Sequence, residues 1–368
     1  MPVRRLPANP NLEHLKYQAK DLLREHGRRE LGTAQRIREF HPRFSEAADA
    51  EIFDAQLSLS DAQLAIARES GFPSWTRLKR HIEKPGVADR LKLPHQERIE
   101  DSTFRRAVEL LDAGEVTGLR EHLKQHPKLT RQRVEFEGGN YFRNPSLLEF
   151  VAENPVRHGK LPRNIVEVAR TILDAGVERV ALNETLVLVA TGSVARECGL
   201  QILLIELLCD QGAEPDWAVE AAAVHGEVVA MKRLIGRGAR VNLPVATTLG
   251  DADRFRRLLP QADRGERHRA MAAAAQFGRV EIARLLLEAG EDPNRYNPVG
   301  GHSHTTPLHQ AAGFGYGELV HLLVEHGARL DMKDLLWRVT PAGWAKQAGY
   351  TKIEDYLRAR EVTREAEE

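Results

Sequence analysis

The residues best suited to chemistry in this chain are histidines that cluster in one short stretch. His302 and His304 stand two positions apart in the segment GGHSHTTPLH, and His309 follows one turn into the next predicted helix. In an extended segment, side chains two positions apart point to the same face. Three imidazoles arranged in this way could bind a zinc ion and leave its fourth position open, as catalytic zinc sites do.

Other signatures of metal or catalytic chemistry are missing from the sequence. It contains no HExxH motif, no CxxC pair, no GxSxG nucleophile motif and no phosphate-binding GxxxxGK[ST] loop. The histidine segment therefore favours an exposed loop or a surface for a partner over a metal centre. We expect no catalytic residues and no cofactor, with His302, His304 and His309 as the candidates if a metal does bind.

The composition narrows the class of protein. Of the 368 residues, 42% are hydrophobic and 29% are charged, which is ordinary for a folded chain and excludes the disordered class. The 53 basic residues balance 53 acidic ones, so the positive field of a non-specific nucleic-acid binder is missing. The first 45 residues hold ten Lys and Arg against five Asp and Glu, but their alternation at helical spacing predicts a solvated helix face.

Cysteine usage and apolar runs indicate where the protein works. Cys198 and Cys209 lie in or beside an apolar stretch without CxxC spacing, which predicts two buried, reduced thiols. The N-terminal segment MPVRRLPANP has no apolar core of a signal peptide. The most apolar stretch, Leu200 to Cys209, is much shorter than the roughly 20 residues that a membrane span needs. We therefore expect a cytoplasmic protein that makes no use of a membrane.

The histidine stretch runs directly into a segment with helical periodicity. This segment, TPLHQAAGFGYGELVHLLVEHGARLDMKD, extends from Thr306 to Asp334. Thr306 is a suitable N-cap, and Pro307 fits the first helical turn. The apolar spacing predicts two helices of about ten residues each, which are too short to be stable alone in water. Stacking against neighbouring units must therefore supply most of their stability.

The same pattern returns along the chain. AVEAAAVHGEVVAMKRLIGRGARVN and AMAAAAQFGRVEIARLLLEAGEDPN precede this segment, and Thr340 restarts the pattern 34 residues after Thr306. Weaker copies begin near Leu147, Leu182 and Ala246. The segment from Thr306 to Asp334 resembles an ankyrin repeat, because its TPLH start, its small Ala311–Ala312 pair and its period of about 33 residues all match that family.

The resemblance implies an all-α solenoid of helix-turn-helix units with a few short β-hairpin fingers. It also implies that His309 has a structural role, in which it hydrogen-bonds the neighbouring backbone. We predict a helical N-terminal region at 1–86, a linker at 87–100 and an array of seven or eight irregular repeats at 101–368, most regular near its C-terminal end. The N-terminal region is similar to a leader that precedes ankyrin repeats in many bacterial proteins, which favours a bacterial origin.

Aromatic residues make up only 6% of the chain, so those at predicted finger positions stand out. Exposed Trp, Tyr and Arg side chains dominate the energetics of protein interfaces. The predicted binding surface consists of Tyr296, Asn297, His302, His304, Trp337 and Arg338.

The sequence is compatible with three hypotheses for function. The resemblance implies a non-catalytic scaffold that binds another protein through the concave surface of its fingers and first helices. The second hypothesis is a small-molecule or metal-dependent enzyme with its site at the histidine-containing finger, residues 294–309. The third is nucleic-acid binding through the basic N-terminal segment, which would depend steeply on salt. The first is the prediction that the motifs favour, and it defines the partner as a protein without specifying which protein or the oligomeric state.

Overall fold

The computed structural model of this protein describes residues 6, 10–30, 32–83, 93–136 and 141–367, with side chains as far as residue 362. The regular elements in these residues are helices that follow one another in short antiparallel pairs, which confirms the predicted all-α repeat fold. Strand pairing in the same residues is limited to an isolated antiparallel bridge between Arg133 and Ser146. The predicted fingers are therefore loops instead of β-hairpins.

The N-terminal region is helical, as predicted. Its described helices are Leu12–Gly27 (α1), Thr33–Phe40 (α2), Asp49–Asp54 (α3), Leu59–Glu69 (α4) and Trp75–Glu83 (α5), with a 3₁₀ helix at Pro42–Phe44. α1, α2 and α5 all pack on α4, and Ile37, Ile66 and Phe72 lie in the core between them. Residues 84–92 lie outside the described residues, so the predicted boundary at 86 and most of the linker at 87–100 stay predictions.

The other helices of the described residues lie between Ser102 and Glu367. They are Ser102–Ala113 (α6), Val116–Gln125 (α7), Ile165–Asp174 (α8), Arg179–Thr191 (α9), Ser193–Glu197 (α10), Gln201–Asp210 (α11), Asp216–Val224 (α12), Val228–Gly236 (α13), Leu243–Leu249 (α14), Ala252–Leu258 (α15), Arg264–Gln276 (α16), Val280–Glu288 (α17), Pro307–Gly313 (α18), Gly317–Glu325 (α19), Pro341–Gln347 (α20) and Thr351–Glu367 (α21). Further 3₁₀ helices are His95–Arg98, Pro127–Thr130, Leu148–Ala152 and Leu259–Gln261. None of the helices in the described part of the chain is long and apolar enough to cross a membrane.

The chain divides into two compact units. The first comprises Met1–Ala222 and Val229–Ala239, and the second comprises Ala223–Val228 and Arg240–Glu368. In the first unit, Cys198 is exposed and Cys209 is half-buried, and both are free thiols. The prediction of two buried thiols is therefore wrong for Cys198, because this residue lies in the turn that ends α10 instead of in the apolar helix that follows.

The second unit is built from four helix pairs, α14 with α15, α16 with α17, α18 with α19, and α20 with α21. Consecutive first helices pack on one another, and so do the second helices α15, α17 and α19. Small side chains at the contacts, among them Ala274, Ala311 and Ala345, are completely buried and let the first helices approach closely. The second helices contribute larger apolar side chains such as Leu286 and Leu323 to the same core.

A contact between a turn glycine and an aromatic ring recurs in the second unit. In three cases an aromatic ring from a following pair covers a turn glycine whose φ is positive. The pairs are Gly226 with Phe277, Gly278 with Tyr316, and Gly315 with Tyr350. A Cβ atom added at Gly315 would lie 2.5 Å from Cε1 of the Tyr350 ring. Glycine thus serves two needs at this position, since it adopts the left-handed conformation at φ +79° and leaves room for the ring.

Alanine substitutions at three glycines should distinguish the cost of the left-handed backbone from the cost of the ring contact. We expect Gly315→Ala to lower the free energy of unfolding by about 2–3 kcal/mol, because the left-handed backbone costs about 1–2 kcal/mol and the Tyr350 ring must also move. Gly327→Ala has the same backbone cost at φ +85°, but no atom lies within 4 Å of the added Cβ. Gly317→Ala meets neither obstacle and should change stability by less than about 1 kcal/mol. Urea unfolding of the three variants measures the order, and equal losses for Gly315→Ala and Gly327→Ala would show that the ring contact adds nothing.

Candidate functional site

A buried carboxylate organises the loop between α19 and α20. Asp334 is completely buried, and its Oδ1 accepts hydrogen bonds from the backbone N–H groups of Leu336 at 2.9 Å and Trp337 at 2.6 Å. Its Oδ2 accepts from the backbone N–H of Val339 at 2.9 Å and from Nε1 of Trp344 at 3.1 Å. The loop therefore wraps around a single side chain, and its backbone has little freedom.

The charge state of Asp334 follows from these contacts. Burial raises the pKa of this carboxyl, but the hydrogen bonds from Trp337, Trp344, Val339 and Leu336 outweigh burial and hold the pKa below its usual value. The side chain is therefore an anion at neutral pH, and the four N–H groups are the partners that it needs. The ordered loop presents Trp337, whose side chain is 62% exposed, and Arg338, which adopts the left-handed conformation at φ 59°.

The preceding loop, residues 294–306, lies against the loop of Asp334. The backbone N–H of Asn297 donates to Thr305 O at 2.7 Å, and the backbone N–H of Thr305 donates to His302 O at 3.0 Å. Two further hydrogen bonds tie this loop to the next one. Tyr296 donates its hydroxyl to Lys333 O at 2.8 Å, and Leu335 donates its backbone N–H to His304 O at 2.8 Å.

The imidazole of His304 packs against two indoles, Trp337 on the loop of Asp334 and Trp344 on α20, which also contact each other. The His304 ring lies 5.2 Å from the Trp337 ring and 6.0 Å from the Trp344 ring, measured between centroids. Only 6% of His304 is exposed, and neither of its ring nitrogens has a hydrogen-bond partner in the described residues. Burial, and then the nearby His302, lower the pKa of His304 to about 4, so this imidazole is neutral at pH 7.

His309 has the structural role that the resemblance implies. Its Nδ1 accepts hydrogen bonds from Thr306, at 3.3 Å from the backbone N–H and 2.8 Å from Oγ1, and its Nε2–H donates to Val339 O at 3.0 Å. Burial lowers the pKa of His309 to about 4. Both ring nitrogens are thus occupied, Nδ1 by the N-cap residue of α18 and Nε2 by a bond that joins this helix to the loop of Asp334.

The metal hypothesis finds little support in this geometry. The predicted alternation at His302 and His304 is wrong, because His302 turns into the left-handed conformation at φ 58° and the segment is not a strand. His302 is exposed while His304 is buried, although their ring centroids lie 6.0 Å apart. Within the described residues, no group of three or more His, Cys, Asp or Glu side chains could hold a metal ion.

The six residues of the predicted binding surface all lie on these two loops, but they differ in exposure. His302, Trp337 and Arg338 are exposed, whereas Tyr296, Asn297 and His304 are buried. The buried three support the loops from beneath, and their binding role stays a prediction. Sequence reasoning missed Asp334, although an acidic residue that opens a short loop often accepts hydrogen bonds from the backbone that follows. We define the fingertip surface as the exposed residues Lys333, Leu336, Trp337 and Arg338 together with His302.

The exposed charges of this surface are positive. Arg338 and Lys333 make no ion pair with a carboxylate among the residues that the structure describes. Nearby arginines differ, since Arg295 pairs with Glu291 at 3.0 Å and Arg329 pairs with Asp331 at 2.6 Å. The fingertip surface therefore combines an exposed indole, an exposed leucine and unpaired cationic groups.

Comparison with known proteins was consistent with the repeats. The family model described as ankyrin repeats (3 copies) matches residues 199–334. The chain is similar to cyclin-dependent kinase 4 inhibitor B of Rattus norvegicus, with 32% identity over 130 residues that cover 34% of this chain and 97% of that protein. It is also similar to cyclin-dependent kinase inhibitor 2A of Monodelphis domestica, with 36% identity over 98 residues that cover 27% of this chain and 54% of that protein. An ankyrin repeat-containing protein of Treponema pallidum (strain Nichols) is 42% identical over 77 residues, which cover 21% of this chain and 24% of that protein.

Replacing the carboxylate of Asp334 should destabilise the folded protein. Asp334→Asn keeps the size of the side chain but places an NH₂ group opposite backbone N–H donors. We expect the free energy of unfolding to fall by about 2–4 kcal/mol, since buried donors lose their charged partner. The control is Asp331→Asn at an exposed ion pair, which should cost less than about 1 kcal/mol. Urea unfolding measures both, and equal small losses would mean that the carboxylate does not organise the loop.

The buried imidazole of His304 should make stability depend on pH. In the unfolded chain its pKa is near 6.5, and in the folded chain it is about 4. As the pH falls from 6.5 to 4, the unfolded chain takes up this proton first, so folding loses up to about 3 kcal/mol from this group. The variant His304→Phe lacks this imidazole, whereas His302, His309 and Asp334 titrate in both chains. We therefore expect the variant to lose less stability than the parent chain over this pH range. Thermal unfolding between pH 4 and pH 7.5 tests this, and parallel curves would contradict it.

Proposed function

Because the chain belongs to the ankyrin-repeat family, we propose that it is a non-catalytic scaffold that binds another protein. The proposed contact region is the fingertip surface together with the first helices beside it, α18 and α20. In repeat arrays the loops and first helices of stacked units form an extended surface, and side chains from several units can contact one partner.

The exposure of Trp337 is the observation that carries this proposal. A side chain of this size, 62% exposed, leaves a large apolar area in water when it has no partner. Its loop is nevertheless ordered by the Asp334 carboxylate, so the indole is presented without a large loss of loop entropy on binding. Trp and Arg are the residue types most enriched among those that dominate protein interfaces, and Arg338 follows directly.

The relatives support a protein as the class of partner. Two of them are named as inhibitors of cyclin-dependent kinases, which are themselves proteins. By analogy we infer a protein partner for this chain, and neither a membrane nor a nucleic acid has a part in the proposal. The alternative of an enzyme with its site at residues 294–309 has less support, because both ring nitrogens of His309 are already occupied.

We further infer that the protein works in the cytoplasm of a bacterium. The exposed thiol of Cys198 and the half-buried thiol of Cys209 suit a reducing compartment. The similarity to a protein of Treponema pallidum supports a bacterial origin, as does the likeness of the N-terminal helices to a bacterial leader.

Truncation of the exposed indole should weaken partner binding. We expect Trp337→Ala to weaken the affinity for the native partner at least tenfold, because a tryptophan at the centre of an interface is typically worth about 2 kcal/mol or more. The partner would be captured from lysate of the native host, identified by mass spectrometry and titrated as purified protein by calorimetry.

The matched control is Trp217→Ala, since that tryptophan is 51% exposed but lies in the first unit. We expect this variant to bind as tightly as the parent chain, and both variants to unfold at nearly the parental temperature. An equal loss of affinity in the two variants, or no loss in Trp337→Ala, would place the interface elsewhere.

A further inference from the structure

The imidazole of His304 has hydrogen-bonding groups that the fold does not use. Nδ1 and Nε2 both lack a partner in the described residues although the side chain is 94% buried. Buried polar groups in proteins are almost always hydrogen-bonded, and leaving one unpaired is costly. Two indole rings pack beside the imidazole, and the nearby Asp334 carboxylate already accepts four hydrogen bonds. The protein therefore keeps an unused donor and acceptor directly beneath its fingertip surface.

The Trp337 ring packs edge-on against His304 at 5.2 Å between centroids, and Trp337 is the exposed member of this pair. The backbone N–H of Trp337 is fixed by Asp334, but its indole is mostly exposed. Rotation of an exposed side chain about χ1 takes picoseconds to nanoseconds and does not require the loop to move. A rotation of the indole away from its contact with His304 would uncover that face of the imidazole to a partner group without a rearrangement of the backbone.

The charges around this position select the group that would bind. Arg338 and Lys333 are exposed and form no ion pair with a carboxylate in the described part of the chain. The nearest acid, Asp334, is buried and saturated with N–H donors, and Asp331 is paired with Arg329. The accessible charge is therefore positive, and it lies beside the apolar surfaces of Leu336 and Trp337. This combination is complementary to a carboxylate next to an apolar side chain.

We propose that the fingertip surface binds an acidic segment of the partner protein, with one carboxylate held jointly by Arg338 and His304. The guanidinium pairs with the carboxylate, and the neutral imidazole donates its single N–H to the same group. An apolar side chain next to the acidic residue packs against Trp337. This inference rests on the proposed function, and it adds the chemistry of the partner segment.

Selection from a random peptide library tests the chemistry directly. Twelve-residue peptides displayed on phage would be selected on the full chain and counterselected on the Trp337→Ala variant. We expect the surviving peptides to be enriched at least threefold in Asp and Glu over the unselected library, and to contain Leu, Phe or Trp next to the acid. Survivors without acidic enrichment would overturn the carboxylate proposal and leave the proposed binding function intact. If every peptide selected on the full chain also binds Trp337→Ala, so that none survives the counterselection, both the surface and the carboxylate proposal fall.

A double-mutant cycle on the best surviving peptide tests whether Arg338 and His304 hold its carboxylate. The peptide would be synthesised with its key acid and with the matching amide, and titrated against the parent chain, Arg338→Gln and His304→Phe. We expect the acid to bind at least tenfold more tightly than the amide on the parent chain. This preference should fall to threefold or less on each variant, since each removes one of the two groups that hold the carboxylate.

The control variant is Arg329→Gln, which removes a nearby arginine that is already paired with Asp331. It should leave the preference for the acid unchanged. A preference that survives in both Arg338→Gln and His304→Phe would overturn the proposal, because a purely structural role of these side chains lowers affinity for acid and amide alike. Raising NaCl from 0.05 to 0.5 M should weaken the acid peptide more than the amide peptide.

Discussion

Stacking between consecutive helix pairs is the constraint on which the rest of this structure depends. Helices of seven residues such as α14, α15, α18 and α20 do not persist alone in water, so each is stable only when it packs against neighbouring pairs. Small residues between the first helices and larger ones between the second helices meet this need within the second unit. Glycines in the turns complete the packing, because an aromatic ring of a following pair occupies the space that a Cβ atom would take.

The same constraint explains how loops without strands can be ordered. Residues 334–339 form no ladder, and apart from one backbone bond from Asp334 N–H to Val339 O, the buried Asp334 carboxylate orders the loop by accepting four N–H groups. Nε1 of Trp344 on α20 is one of these donors, so the stacked helices and the loop stabilise each other. His309 has a comparable part on the preceding pair, since it joins the start of α18 to Val339 at the base of the same loop.

A binding role fits the way in which this unit distributes its polar groups. The side chains of Asp334, His309 and Tyr296 that support the loops are hydrogen-bonded, whereas Trp337 and Arg338 remain exposed at the tip. The left-handed conformation of His302 and Arg338 costs free energy at non-glycine residues, and both residues lie on the exposed surface. Strain and exposed apolar area at one place are typical of a surface that is completed by a partner, and His304 beneath it offers hydrogen bonds that such a partner can use.

The sequence by itself determined the repeat fold and the role of His309. The TPLH start, the small residues and the period near 33 are local patterns, and helical periodicity is visible without knowing what packs where. Tertiary structure alone decided which residues of the two loops reach solvent. Positive φ at His302 breaks the two-residue alternation that predicted one face for both histidines, and the hydrogen bonds of Tyr296 and Asn297 draw those side chains inward. The exposure of Trp337 likewise depends on Asp334. The four N–H groups that donate to its carboxylate come together only when the loop packs against α20, and the spacing of residues in the sequence does not predict that contact.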